Sequence, residues 1–153
     1  MGWSVPISAL VAFLCVASGN AEERISIQYT AENLITGDNR VFKATLQLET
    51  EKMPLHDIMF EAAHIDSRFE FRTAHHEDFG HYVVEMNNLP EDLAMERFWT
   101  LLKRDHPDVP QSDCALSHAG ISTYQPFDGE HLVFAYETSD IFERIPECPI
   151  LHS

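Results

Sequence analysis

Alternation of apolar and polar residues dominates the first part of the chain after residue 21. In RISIQYTA, Ile25, Ile27 and Tyr29 share one face of an extended strand, and a second alternating run, VFKATLQLE, follows a short polar loop. Strand side chains alternate between two faces, and Gly37 and Asp38 supply turn chemistry between the runs, so the pattern predicts a hairpin. The residues expected inward in the second run are Phe42, Ala44, Leu46 and Leu48.

The apolar spacing then changes to a helical period in EKMPLHDIMFEAAHI. Apolar residues recur there at intervals of three and four, and Pro54 and Asp57 suit a first helical turn. The segment predicts one amphipathic helix that covers a face of the sheet. Its apolar stripe is Leu55, Ile58, Met59, Ala62 and Ala63.

Four more runs, RFEFRTA, HYVVEMNNL, RFWTLLK and HLVFAYE, have strand character. Tyr82, Val84 and Met86 are expected on one face of the second run, and Trp99 is expected to oppose Phe98 in the third. Strands separated by turns, with a single early helix, predict an α+β domain with a mostly antiparallel sheet. Residues 103–119 form a long polar loop, and the tail of residues 138–153 is expected to pack loosely.

The first 21 residues carry no charged side chain. The apolar run from Ile7 to Ala17 has the length of a signal-peptide core, is followed by small residues, and is too short for a transmembrane span. No Lys or Arg precedes it, so a buried N-terminal helix is the alternative. We expect residues 1–21 to be a cleaved signal peptide of a secreted protein that does not span the membrane.

Signal cleavage removes Cys15 and leaves Cys114 and Cys148, an even pair in an oxidising compartment. A disulfide between them would tie the long loop to the tail and contribute about 3–4 kcal/mol in the chain-entropy model. Two free thiols are the alternative.

The formal net charge of −15 lies entirely after residue 21. This charge argues against nucleic acid and anionic membranes as partners. An acidic surface most often keeps a secreted protein soluble, although a basic partner or a cation would also suit it.

No enzyme motif is present, and an enzyme is not expected. The sequence lacks GxSxG, P-loop, GxGxxG and HExxH patterns, and its nine histidines form no zinc-ligand spacing. Adjacent acidic residues read as solvated surface rather than as calcium sites. The aromatics are more informative, because several lie at strand starts and turns, where a ligand face would expose them. They are Phe79, Tyr82, Phe98, Trp99, Tyr124 and Phe127.

The order of short motifs along the chain resembles the C-terminal β-domain of the transcobalamin, intrinsic factor and haptocorrin family. The resemblance covers Ile25 to Glu137, and it rests on the order and spacing of the motifs rather than on any single one. They are FGHYV (79–83), NL (88–89), FW (98–99), GISTY (120–124) and DGEHL (128–132), preceded by the helix MPLHDIMFEAA.

The resemblance implies a domain over residues 22–137 with two antiparallel sheets and one helix, and cobalamin as ligand. The contacts that it implies are Phe79, Gly80, Tyr82, Trp99, Thr100, Leu101, Gly120, Ile121 and Tyr124. No metal site is expected.

The chain also departs from the family. Phe79 stands where the family usually has Trp, His81 stands where it usually has Pro, and the resemblance does not extend to the helical-barrel domain of the full-length carriers. The resemblance therefore implies a half-site completed by a helical partner protein or a receptor. The alternative is a secreted interaction or matrix module that keeps the fold without the vitamin.

Overall fold

Two β-sheets, one of five strands and one of three, form the framework of the described part of the chain. The computed structural model describes residues 22–105, 113–116 and 120–149, so the predicted signal peptide and parts of the long loop lie outside the described residues. The strands are β1 (Arg24–Asn33), β2 (Lys43–Glu51), β3 (Phe71–His76), β4 (Gly80–Met86), β5 (Leu89–Pro90), β6 (Arg97–Arg104), β7 (Cys114–Ala115) and β8 (His131–Thr138). The helices are α1 (Leu55–Ile65) and the four-residue α2 (Ile141–Arg144).

The strand order of the large sheet is β2-β1-β8-β6-β7, and that of the small sheet is β3-β4-β5. Every pair is antiparallel except β1 and β8, which run parallel. The α+β class, the two sheets and the first hairpin are confirmed. The parallel pair was not predicted, because alternation marks a strand without identifying its neighbour.

One face of the large sheet packs against α1 and the small sheet. Ile25, Ile27 and Tyr29 are buried there, as predicted, together with Leu132 and Phe134 of β8. The predicted helical stripe is also buried, with Ala63 at its half-buried margin. This face holds the main core.

The prediction of which β4 side chains share a face is wrong. Val83 and Met86 are buried, whereas Tyr82 is exposed and Val84 is half-buried. The cause is a β-bulge: Arg72 pairs with Glu85 but Thr73 pairs with Val83, so β4 carries one extra residue at Val84. An extra residue reverses the alternation, and here it turns Tyr82 outward.

The opposite face of the large sheet is covered by the C-terminal segment. Ile141 of α2 is fully buried against Leu102 and Val133, so the loose packing expected for the tail is wrong over its described part. The predicted disulfide joins Cys114 and Cys148. No helix in the described part of the chain has the length and apolar character needed to cross a membrane.

Candidate ligand pocket

An open pocket of about 420 Å³ lies along β6, between this strand, β4 and the turn of residues 120–124. On β6, the strand β7 pairs with Leu102 and Lys103, and the part of the β6 edge that precedes them borders the pocket. Trp99 and Phe98 point to opposite faces of β6, and both line the pocket. The pocket therefore wraps around a strand edge.

Seven of the nine residues predicted to contact a ligand line this pocket. They come from three separate stretches of sequence that the fold brings together. Ligand binding by them stays a prediction. The seven are Phe79, Tyr82, Trp99, Thr100, Leu101, Gly120 and Ile121.

The other two predicted residues, Gly80 and Tyr124, do not line the pocket but contact the segments that form its walls. Gly80 has φ +76°, in the left-handed region that favours glycine, and a Cβ there would lie 3.4 Å from Ser122 Oγ. The Tyr124 hydroxyl donates to both carboxylate oxygens of Glu130, at 2.9 and 2.7 Å, and Glu130 also accepts from Lys103. Burial, reinforced by Glu130, raises the pKa of Tyr124 far above its ordinary value, so the hydroxyl stays protonated as a donor.

The turn of residues 120–124 also caps helix α1. The backbone N–H of Leu55 donates to the carbonyl of Tyr124 at 2.7 Å, and that of His56 donates to the carbonyl of Ile121 at 3.0 Å. The first N–H groups of a helix have no partner within the helix, so these carbonyls satisfy two of them. Pocket wall and helix start are therefore one connected structure.

The turn is fastened to β4 through Ser122 and His81. Ser122 Oγ lies 2.9 Å from His81 Nδ1 and accepts from the His81 backbone N–H at 3.3 Å. The His81 ring stacks on His56 at 5.2 Å and meets His75 edge-on at 5.2 Å. His81 also lines the pocket, although it is not among the ligand contacts that the resemblance implies.

Trp99 joins the two sheets while one side of it borders the pocket. Its indole N–H donates to the carbonyl of Leu89 in the small sheet at 2.9 Å, and its ring lies 5.2 Å from that of Tyr136. The residue is buried, so it is both core and pocket wall.

Two aromatic rings stand at the mouth of the pocket. Phe79 is 43% exposed and Tyr82 is 37% exposed, and their ring centroids are 6.0 Å apart. His76 stacks on Phe79 with ring centroids 4.0 Å apart. Exposed rings beside an apolar pocket are a surface suited to a broad, flat ligand.

Sequence reasoning missed Leu93 and Phe142, two exposed residues that extend the apolar wall. Phe142 stacks with Phe98 at a centroid distance of 5.9 Å. It belongs to the C-terminal segment, outside the region of the resemblance, and Leu93 belongs to a 3₁₀ turn with no regular pattern. The signal available for both was a large apolar side chain in a polar stretch.

The Thr100 hydroxyl is the unusual polar group of this wall. Thr100 is 8% exposed, and its Oγ1 has no hydrogen-bond partner among the described residues. Within the same ranges, no group of three or more His, Cys, Asp or Glu side chains is placed to hold a metal ion.

No protein-family model and no curated protein sequence matches the chain. Its structure is similar to that of haptocorrin in a crystal structure with cobinamide, with a TM-score of 0.57 and 19% identity over 81% of this chain. It is also similar to a Ruminococcus gnavus protein proposed to bind metal, with a TM-score of 0.52 and 11% identity over 75% of this chain.

At these low sequence identities, the structural similarity shows only that the chains share a fold. That fold agrees with the one that the order of the sequence motifs implied. The chain spans 28% of the haptocorrin chain and 98% of the Ruminococcus gnavus chain. The same fold thus forms part of one solved chain and almost all of another.

Proposed function

We propose that this chain is an extracellular, non-enzymatic module that binds one side of a corrinoid in the pocket along β6. One observation carries the proposal: seven residues that the motif resemblance assigned to corrinoid contact, drawn from three stretches of sequence, border a single pocket. The likeness to the fold of haptocorrin, whose crystal structure contains cobinamide, supports the same ligand class.

The chemistry of the pocket suits a corrinoid. A volume of about 420 Å³ lies in the lower part of the range of small-molecule sites, about 300–1,000 Å³. A corrin ring is a wide apolar plate with amide side chains. Phe79 and Tyr82 offer rings to the plate, and Thr100 brings a polar side chain to the same pocket.

The pocket is open, which favours a half-site. A ligand lying on Phe79 and Tyr82 would keep its other face in water unless a second protein covered it. We therefore propose a helical partner protein or a receptor as the second half, and low affinity for the isolated chain.

The disulfide supports an extracellular location. Cys114 and Cys148 are both buried and bonded to each other, and disulfides persist in oxidising compartments. We propose that residues 1–21 direct the chain there as a signal peptide. N-terminal sequencing of the secreted protein tests this part directly, with Glu22 as the expected first residue.

Ligand titration tests the binding. Purified mature protein is titrated with cobinamide and with cyanocobalamin while corrin absorbance and Trp99 fluorescence are followed. We expect saturable changes in both signals for the wild type and a strongly reduced affinity for the double variant Phe79→Ala/Tyr82→Ala. Phe127→Ala is the matched control, because Phe127 is 49% exposed and does not line this pocket.

A folded wild-type protein that gives no change with either corrinoid up to about 1 mM, equivalent to only about 4 kcal/mol of binding free energy, would overturn the proposal. That result would favour the alternative, an interaction module that keeps the fold without the ligand. Equal losses of affinity in the double variant and in Phe127→Ala would instead overturn the assignment of the site.

A further inference from the structure

We infer that the hydroxyl of Thr100 is the polar recognition point of this pocket and receives its hydrogen-bond partner from an amide group of the ligand. The inference rests on the proposed function and assigns Thr100 a role distinct from that of the apolar wall.

Thr100 lies on the face of β6 opposite Trp99. It pairs across the sheet with Ala135 of β8, which offers no side-chain hydrogen bond. The pocket residues that share its side of the strand edge are Phe98 and Phe142, whose rings stack on each other. Thr100 is thus a hydroxyl-bearing residue in an apolar setting.

The missing partner of Thr100 needs an explanation. Buried polar side chains in native proteins nearly always have a hydrogen-bond partner, and an unpaired one destabilises the fold. Three buried side-chain polar atoms lack a partner in the described part of the chain: Tyr29 Oη, Arg97 Nε and Thr100 Oγ1. Of these three residues, Thr100 alone lines the pocket along β6.

A carboxamide is the ligand group that fits this position. It presents both a donor and an acceptor, so it can pair with a hydroxyl in either sense. Thr100 Oγ1 is itself buried in the structure, and a rotation about χ1 to another staggered rotamer moves it to the position that Cγ2 or Hβ now occupies. Such a rotation would bring the hydroxyl to a ligand seated against the residue. Amide side chains at the edge of a corrin plate supply the group.

Thr50 provides a matched comparison within the same chain. It is also a buried strand threonine, 3% exposed, but its hydroxyl donates to Glu61 Oε2 at 2.6 Å, and it does not line the pocket. Replacing each threonine by the nearly isosteric valine removes a satisfied hydroxyl at Thr50 and an unsatisfied one at Thr100. The two replacements should therefore change the stability of the free protein in opposite directions.

The experiment measures two quantities for wild type, Thr100→Val, Thr100→Ser and Thr50→Val: the melting temperature without ligand and the Kd for cobinamide. We expect Thr100→Val to melt at the wild-type temperature or above it and to bind cobinamide about 2- to 10-fold more weakly, the effect of one neutral hydrogen bond. Thr100→Ser keeps the hydroxyl and should keep most of the affinity. Thr50→Val should melt lower with an unchanged Kd.

An unchanged Kd in Thr100→Val would overturn the inference while leaving the proposed function standing. A lower melting temperature in Thr100→Val, with equal loss of affinity in Thr100→Ser, would identify a structural role and would also overturn it. Absence of binding of both cobinamide and cyanocobalamin by folded wild-type protein would overturn the proposed function, and this inference with it.

Discussion

Gly120 lies so close to Phe79 that a Cβ on Gly120 would fall 1.7 Å from the Phe79 carbonyl oxygen. No side chain fits in that space. The contact fixes the turn of residues 120–124 against the start of β4, and with it the distance between two walls of the pocket. The geometry of the pocket thus depends on the absence of a side chain.

Gly120→Ala is expected to lower the free energy of unfolding by about 1–3 kcal/mol or more, the usual effect of overpacking. The loss is large because a backbone atom, rather than a flexible side chain, blocks the new methyl group. It should also abolish corrinoid binding, since the turn must move away from Phe79. Urea unfolding and the ligand titration measure the two effects.

Gly37→Ala is the control for this substitution. Gly37 has φ +82° and no atom within 4 Å of an added Cβ, so alanine there meets backbone strain but no clash. It should lose about 1–2 kcal/mol of stability and bind corrinoid as the wild type does. Equal behaviour of the two variants in both measurements would contradict the role given to Gly120.

The hydroxyl of Tyr124 is expected to support the pocket without touching a ligand. Tyr124→Phe removes a hydrogen bond to the Glu130 carboxylate and should lower the free energy of unfolding by about 1.5–3 kcal/mol, the range for bonds to charged groups. The Kd for cobinamide should change little. Urea unfolding at neutral pH and the titration check both expectations.

Tyr82→Phe is the comparison for Tyr124→Phe. The Tyr82 hydroxyl has no hydrogen-bond partner in residues 22–105, 113–116 and 120–149, and the residue lies at the pocket mouth. Its loss should leave stability unchanged. If Tyr124→Phe is as stable as Tyr82→Phe, the Tyr124–Glu130 bond contributes nothing to the fold.

His131 is expected to make stability fall in mild acid. Partial burial, and secondarily the Arg104 guanidinium, lowers the pKa of His131 below 6.5, so the unfolded chain takes up this proton at a higher pH than the folded chain. The contribution is therefore fully present above pH 6.5 and is lost as the pH falls toward the lower, folded-state pKa. Urea unfolding of wild type and His131→Gln between pH 7.5 and about 5 checks the sign.

His131→Gln should flatten part of this profile of stability against pH. It should also lower the free energy of unfolding at pH 7.5, because the hydrogen bond between His131 Nε2 and Thr30 Oγ1, 2.9 Å long, is lost. His64→Gln, the same replacement at an exposed position near the end of α1, serves as the control for the substitution itself. A slope unchanged by His131→Gln would contradict the assignment.

The Cys114–Cys148 bond is expected to hold the C-terminal segment on the sheet. Its loop spans 34 residues, so the double variant Cys114→Ser/Cys148→Ser should lose about 3–4 kcal/mol in the chain-entropy model. Because Phe142 precedes Cys148 in that segment and lines the pocket, affinity for cobinamide should fall as well. Mass spectrometry with alkylation before and after reduction establishes the bond in wild type.

Ile141→Ala separates anchoring from covalent linkage. Ile141 is the fully buried residue through which the C-terminal segment packs on the sheet. Its truncation should lower the free energy of unfolding by about 2–5 kcal/mol while the disulfide stays intact. If neither variant affects ligand affinity, Phe142 has no part in binding.

The sequence predicted those strands and that helix in which one face is buried and the other faces solvent. The alternation of β1 and β2 and the stripe of α1 follow from the separation of apolar and polar side chains. The proximity of Phe79, Trp99 and Ile121 followed only from the resemblance, because no local pattern brings distant stretches together.

Three features could not be read from the pattern, each for a physical reason. The bulge at Val84 lies next to another valine, so the apolar pattern does not reveal which of the two is extra. The packing of Ile141 depends on a groove that only the assembled sheet provides. The missing partner of Thr100 depends on its neighbour across the sheet, Ala135, which the order of residues does not disclose.

The capping of α1 by the pocket turn gives the molecule an internal reporter. The amide hydrogens of Leu55 and His56 are held by the carbonyls of Tyr124 and Ile121, and Ile121 itself lines the pocket. A molecule that packs on Ile121 and steadies the turn would slow the exchange of these two hydrogens with solvent deuterium. Hydrogen exchange at the start of α1 would then report whether the pocket is occupied, without a label on the ligand and at two residues that do not line the pocket.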